Sequence, residues 1–365
     1  MASQQYNNKR RILWIDVAKF IAIGGVLVDH TKNIVYSNPD FQHLSFYSVA
    51  LFIFIMGVTQ YQSLDRHYHK QESVRHFIWK RVLQIYIPYV VASLIYFIVA
   101  YKTFNLESFI QKLIYFKMSG PFYYVCLYIQ LLLILPFLYI VIHKNKGKKS
   151  YLFELLILVI IMLFSAWANV DTNILNLWGG GGKLFGGSFL VVMYLGMLTG
   201  KYYDKITISK KLTIPVTLFL LIIVSILCYV VILDNHIIDS FLPILGTSRN
   251  PPGLTFILFS VSIAFLVFSS EQTVHYYGHR CSQMVFSAAA LIGKHTLYIF
   301  LYHRLFIDYI LPLVDVHITL SSSIFVRIGL YCVLIVGPIF IEIIIKKVKQ
   351  YLIISLDSKR DSNRA

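Results

Sequence analysis

Ten apolar runs, each about long enough to cross ~30 Å of hydrocarbon as a helix, dominate this 365-residue chain. They cover approximately residues 12–30, 44–62, 82–101, 122–143, 151–168, 184–200, 212–233, 254–270, 289–312 and 322–345. In lipid every backbone N–H and C=O must find a partner inside its own segment or in a closed barrel. Runs of this length therefore predict an all-α, polytopic membrane protein of about ten transmembrane helices. The runs at 151–168, 184–200 and 254–270 are short. The one at 289–312 has an indistinct start, because Gly293, Lys294 and His295 suit an interface. Charged residues make up 14% of the chain, against about 25% in soluble domains, which excludes a soluble enzyme with an apolar core.

The net charge is +16. In a soluble protein such a surplus points to nucleic acid, so its distribution over the loops decides its meaning. If the runs alternate across the membrane, 23 of the 33 Lys and Arg fall on the side of the N-terminus, including Arg66, Arg75, Lys80 and Arg81. Six fall opposite: Lys32, Lys102, Lys112, Lys117, Lys183 and Arg249. Lys19, Lys294, Arg304 and Arg327 lie within the runs. The asymmetry places both termini in the cytoplasm and favours an even number of spans. It also accounts for the basic charge without a nucleic acid partner.

The apolar run after the basic N-terminal residues holds Asp16 and Lys19 and offers no small-residue cleavage site. It reads as a retained first span and not as a signal peptide. Residues 1–350 read as a single transmembrane domain and 351–365 as a cytoplasmic basic tail. Cys126, Cys228, Cys281 and Cys332 form no CxxC pair, so neither a disulfide framework nor a metal site is expected. Trp178 followed by Gly179 to Gly182 predicts a flexible external segment. Arg249, Asn250, Pro251 and Pro252 predict a rigid turn. Both loops are candidates for shaping a binding site and are equally ordinary connections.

Ionisable residues at membrane depth cost about 2.5–3.5 kcal/mol each and face the bundle interior or water. The first run carries Asp16, Lys19, Asp29 and His30. At about 100° per residue, the step from Lys19 to His30 returns to within ~20° of the same direction, and Asp16 lies within ~40° of it. Asp16, Lys19 and His30 thus form one polar face, and Asp29 points away. Two readings fit this face: an Asp16–Lys19 ion pair with an interfacial histidine, or a catalytic stripe.

This stripe resembles the opening of the acyltransferase-3 family of integral membrane acyltransferases. Members begin with a basic residue, an Asp on the first span, then a basic residue separated by ten positions from a histidine; here these are Arg11, Asp16, Lys19 and His30. The run LFIFIMG, closing on Gly57, is similar to the family's phenylalanine-rich second span. FIWKRVLQIYIPY, with Lys80, Arg81 and Pro88, is similar to its basic entry into the third. Gln84 stands where many members have a second arginine. The run from Gly120 to Pro136 and IGKHTLYIFLYH, ending on His303, extend the resemblance over most of the chain.

The resemblance implies transfer of an acyl group, usually acetyl from acetyl-CoA, to hydroxyls of a surface or extracellular polysaccharide or its lipid-linked precursor, in the bacterial plasma membrane. It implies catalytic roles for His30, Lys19, Asp16 and His303, with His30 as base or acyl relay. It also implies donor phosphates held by Arg81, Lys80 and Arg75. The chain's partners would be acetyl-CoA, the glycan acceptor and membrane lipids. The rival expectations are a transporter or flippase of a lipid-linked sugar or acylated metabolite, and an assembly subunit of a polysaccharide synthase.

Overall fold

The structure is a computed structural model, and it describes residues 12–101, 105–144, 150–170, 179–313 and 318–362. Among them there are helices and turns and no β-strand. The helices are α1 (Leu13–His30), α2 (Pro39–Ser45), α3 (Tyr47–His69), α4 (Val74–Ala100), α5 (Leu106–Ile114), α6 (Tyr123–Lys144) and α7 (Ser150–Val170). They continue with α8 (Phe189–Tyr202), α9 (Lys210–Ile232), α10 (Leu254–Tyr277), α11 (Arg280–Gly293), α12 (Thr296–Leu305), the short α13 (Leu311–Leu313) and α14 (Ile324–Ser362).

Seven helical segments are long and apolar enough to cross a membrane, eight if the bent pair formed by α11 with the helix from Thr296 to Leu313 counts as one span. The two remaining expected spans are α1 and α8, and each falls short for a physical reason. α1 has 18 residues, three of them ionic: Asp16, Lys19 and Asp29. α8 has 14 residues, about 21 Å at 1.5 Å per residue, too short to span hydrocarbon alone. Both are packed inside the bundle. Trp14 to Ala18 are all buried, as are Phe189 to Tyr194. The indistinct start expected near Gly293 is a 65° bend between α11 and α12.

Two loops are shorter than the apolar pattern suggests. α3 runs on to His69 and α4 begins at Val74, so Arg66, Arg75, Lys80 and Arg81 stand on helix ends and not in an open loop. α4, at 27 residues, is about 40 Å long and overshoots the hydrocarbon by roughly 10 Å. α14 likewise continues to Ser362, through most of the expected tail.

Glycine fixes the contact between α3 and α8. A Cβ on Gly57 would lie 2.3 Å from the Met193 carbonyl oxygen, and one on Gly196 would lie 2.2 Å from that of Phe54. The obstructing atoms are backbone and cannot rotate away, so the helices touch at van der Waals distance only because both positions lack side chains. Gly196→Val is expected to destabilise the bundle by about 1–3 kcal/mol or more, read as a lower melting temperature of the detergent-solubilised protein. An unchanged melting temperature would contradict this packing.

At the end of the bundle where α1 terminates, side chains tie the connections down. Gln130 donates from Nε2 to the Gly181 carbonyl at 2.9 Å and accepts from the Phe185 N–H at 3.0 Å. Asn169 accepts from the Ser188 N–H, and the Ser188 hydroxyl donates to the Pro252 carbonyl at 2.7 Å. Gly187 (φ +59°) sits where a Cβ would meet the Asn169 Oδ1 at 2.1 Å, so its conformation and its lack of a side chain are both used. The Gly179–Gly182 segment is accordingly a packed 3-10 turn and not the flexible segment expected from four consecutive glycines. Trp178 lies outside the described residues.

Candidate active site

His30 ends α1 and His303 lies in the last turns of α12. Their rings stack, with centroids 5.1 Å apart and planes at 28°. His303 is fully buried. Its Nδ1 lies 2.8 Å from the Phe300 carbonyl oxygen and 3.2 Å from that of Ile299. Carbonyls only accept, so Nδ1 carries the proton and the Nε2 lone pair is left free. That Nε2 has no hydrogen-bond partner among the described residues. Orphaned buried acceptors cost about 1–3 kcal/mol, and this one lies on a ring stacked against a second histidine.

His30 lines a cavity of about 90 Å³ together with Asp29, Phe46, Tyr123, Arg249 and Asn250. Asp29 is engaged elsewhere, accepting from the Gln42 amide at 2.9 Å, in keeping with its direction on the helix. A larger cavity, about 300 Å³, is lined by Lys19, Gln60, Arg81, Tyr124, Tyr128 and Phe300. Phe300 also lines the His30 cavity. The two spaces therefore meet at this residue. It is 6% exposed and packs on Tyr124 with ring centroids 5.0 Å apart.

The helical face read from the spacing is thus divided between two compartments. Lys19 faces the larger cavity and His30, 11 residues and about 16 Å further along the axis, faces the smaller. Asp16 is buried behind Lys19 and accepts from its ammonium at 3.2 Å. The ion pair of the first reading exists, and its cation lines a cavity. Gly293 allows α11 to lie against α1 here, since a Cβ would fall 1.9 Å from the Asp16 carbonyl oxygen.

Arg81 reaches the larger cavity from α4. Its guanidinium donates to Gln84 Oε1 at 3.2 Å and lies 5.3 Å over the Phe77 ring. Gln84, standing where many family members have an arginine, is thereby the partner that orients Arg81. Lys80 and Arg75 are exposed and line neither cavity. One position on a helix rotates a side chain by about 100°, which separates Lys80 from Arg81. Arg304, adjacent to His303, is turned to Asp308 at 2.9 Å and lines neither cavity.

Several lining residues carry no signal in the sequence. Phe300 and Tyr124 are two of 27 Phe and 26 Tyr. Gln60 is the exception, a polar residue in an apolar run, and it donates to the Tyr128 hydroxyl at 3.1 Å.

Fold and site together define a polytopic membrane protein in which His30, at the wall of a cavity, stacks on the buried His303. Residues 12–346 match the acyltransferase-3 family, described as an acyltransferase domain. With nearly the whole chain matched, the protein belongs to this family of membrane acyltransferases. No curated protein and no solved structure matches it.

Proposed function

We propose that this protein transfers an acetyl group from acetyl-CoA to a hydroxyl of a surface or extracellular polysaccharide or its lipid-linked precursor. It would do so from a bacterial plasma membrane, crossing it ten times with both termini cytoplasmic. The observation that carries this reading is the placement of Lys19 and Arg81 at one cavity and His30 at another, with Phe300 lining both. A reaction with its donor on one side of a membrane and its acceptor on the other needs two entrances meeting at one base.

The thioester arm enters the larger cavity, which is long on aromatic surface and holds two cations. Arg81, with Lys80 and Arg75 on the projecting end of α4, meets the phosphates of the donor. Lys19, in the same cavity, helps to hold the donor there. The acceptor hydroxyl enters the smaller cavity. His30 takes its proton as the hydroxyl oxygen attacks the thioester carbonyl. The new C–O bond forms, the C–S bond breaks, and the departing thiolate receives the proton from His30. Asp16 keeps Lys19 charged and oriented, and His303 positions the His30 ring by stacking.

The test is purified protein in detergent, with isotopically labelled acetyl-CoA and extracted surface polysaccharide. Label appearing in the polysaccharide, together with free thiol, supports the reading. Substrate flux in liposomes with no dependence on acetyl-CoA would replace it with a carrier. Arg81→Ala is expected to raise KM for acetyl-CoA about tenfold, the loss of one charge-assisted contact, with a much smaller change in kcat. An unchanged KM would return Arg81 to a purely topological role.

A further inference from the structure

Arg249 is one of six basic residues that the loop pattern assigns to the side where Lys and Arg are sparse, so the rule that explains most of the chain's positive charge does not explain it. The structure puts it in the wall of the His30 cavity. Its guanidinium carbon lies 3.9 Å from the centre of the Phe46 ring, a contact that fixes the plane of the fork while leaving its N–H edge free. No carboxylate lies within ion-pairing distance of it among the described residues. Asp29, the acid that shares the cavity wall, is held by Gln42. The other polar groups facing this space, from Asn250, Tyr123 and Ser48, are neutral, and His30 completes it.

We propose that Arg249 is an oxyanion subsite for the acceptor, and that the acceptor is an acidic glycan whose carboxylate or phosphate lies close to the hydroxyl that is acylated. This rests on the acyltransferase reading above and narrows its substrate class. A planar guanidinium pairs with a carboxylate or phosphate through two parallel hydrogen bonds, which fixes orientation as well as position. The cavity, about 90 Å³, admits the edge of a sugar ring and not the whole ring. An anion on Arg249 and a hydroxyl at His30 would then both come from that one edge.

The test measures binding without any acetyl donor, so it is independent of whether acetyl-CoA is the co-substrate. Tetragalacturonate, its carboxyl-reduced neutral counterpart and a glycerol-phosphate tetramer are titrated against the full chain in detergent by thermophoresis. At least one anionic tetramer is expected to bind about tenfold or more tighter than the neutral one, and which one separates a carboxylate from a phosphate. Arg249→Gln should abolish that preference. Arg249→Lys should retain part of it, since charge survives and the fork does not. The absence of any preference for an anionic tetramer, or a preference untouched by Arg249→Gln, overturns the proposal. Labelled acetyl transfer to extracted polysaccharide, measured separately, reports on the acyltransferase reading alone.

Discussion

Replacing His30 with alanine is expected to reduce acetyl transfer by about 10²–10⁴-fold, the usual contribution of a positioned general base. Membrane insertion and melting temperature should stay near wild type, because the ring packs at the end of α1 next to a cavity and not in the middle of the core. His30→Gln keeps the volume and a hydrogen-bonding end but cannot take up a proton, so it should fall as far as alanine. Transfer at near wild-type rate in either variant would sink the assignment of His30. His303 differs: the proposed mechanism gives it a positioning role, through its stack on His30 and its bond to the Phe300 carbonyl.

The second large effect concerns Asp16 and Lys19. Lys19→Met leaves the Asp16 carboxylate, 3% exposed, without the ammonium it accepts from at 3.2 Å. Breaking one partner out of a buried pair costs about 3–5 kcal/mol. Lys19→Met is therefore expected to lower yield and melting temperature sharply. The paired substitution Asp16→Asn with Lys19→Met removes both charges and should recover most of that stability. It should not recover transfer, because the larger cavity then keeps only Arg81 of its two cations. Recovery of activity along with stability would show that the pair is structural only. Measuring melting temperature and transfer on the same preparations separates the two.

The stripe on the first span was legible because helical spacing and the cost of charge in lipid act on one segment alone. Asp16, Lys19 and His30 can be placed on one face with no knowledge of neighbours. The pairing of His30 with His303 rests instead on how α12 bends away from α11 at Gly293, a tertiary fact that no local pattern encodes. The same limit explains α8, whose apolar run looks like a span but which is 14 residues long and packed against α3 through Gly57 and Gly196. Charge counting grouped Arg75, Lys80 and Arg81 together. Helix phase divides them, because 100° per residue sends only Arg81 to the cavity. Phe300 was invisible among so many aromatics, and its importance comes only from where it stands.

That position has a consequence for the cell's energy supply. A membrane enzyme with a cavity open to each side is one side chain away from being a pore, and a pore wide enough for small ions would dissipate the proton gradient. If the two cavities open to opposite sides, as the proposed reaction requires, the Phe300 ring, buried against Tyr124, is placed to keep them apart. An acyl group can be handed past such a ring while the bulky carrier that brought it stays behind. Under the proposed reaction the cell would give up two carbons per modification and keep both its coenzyme and its membrane potential.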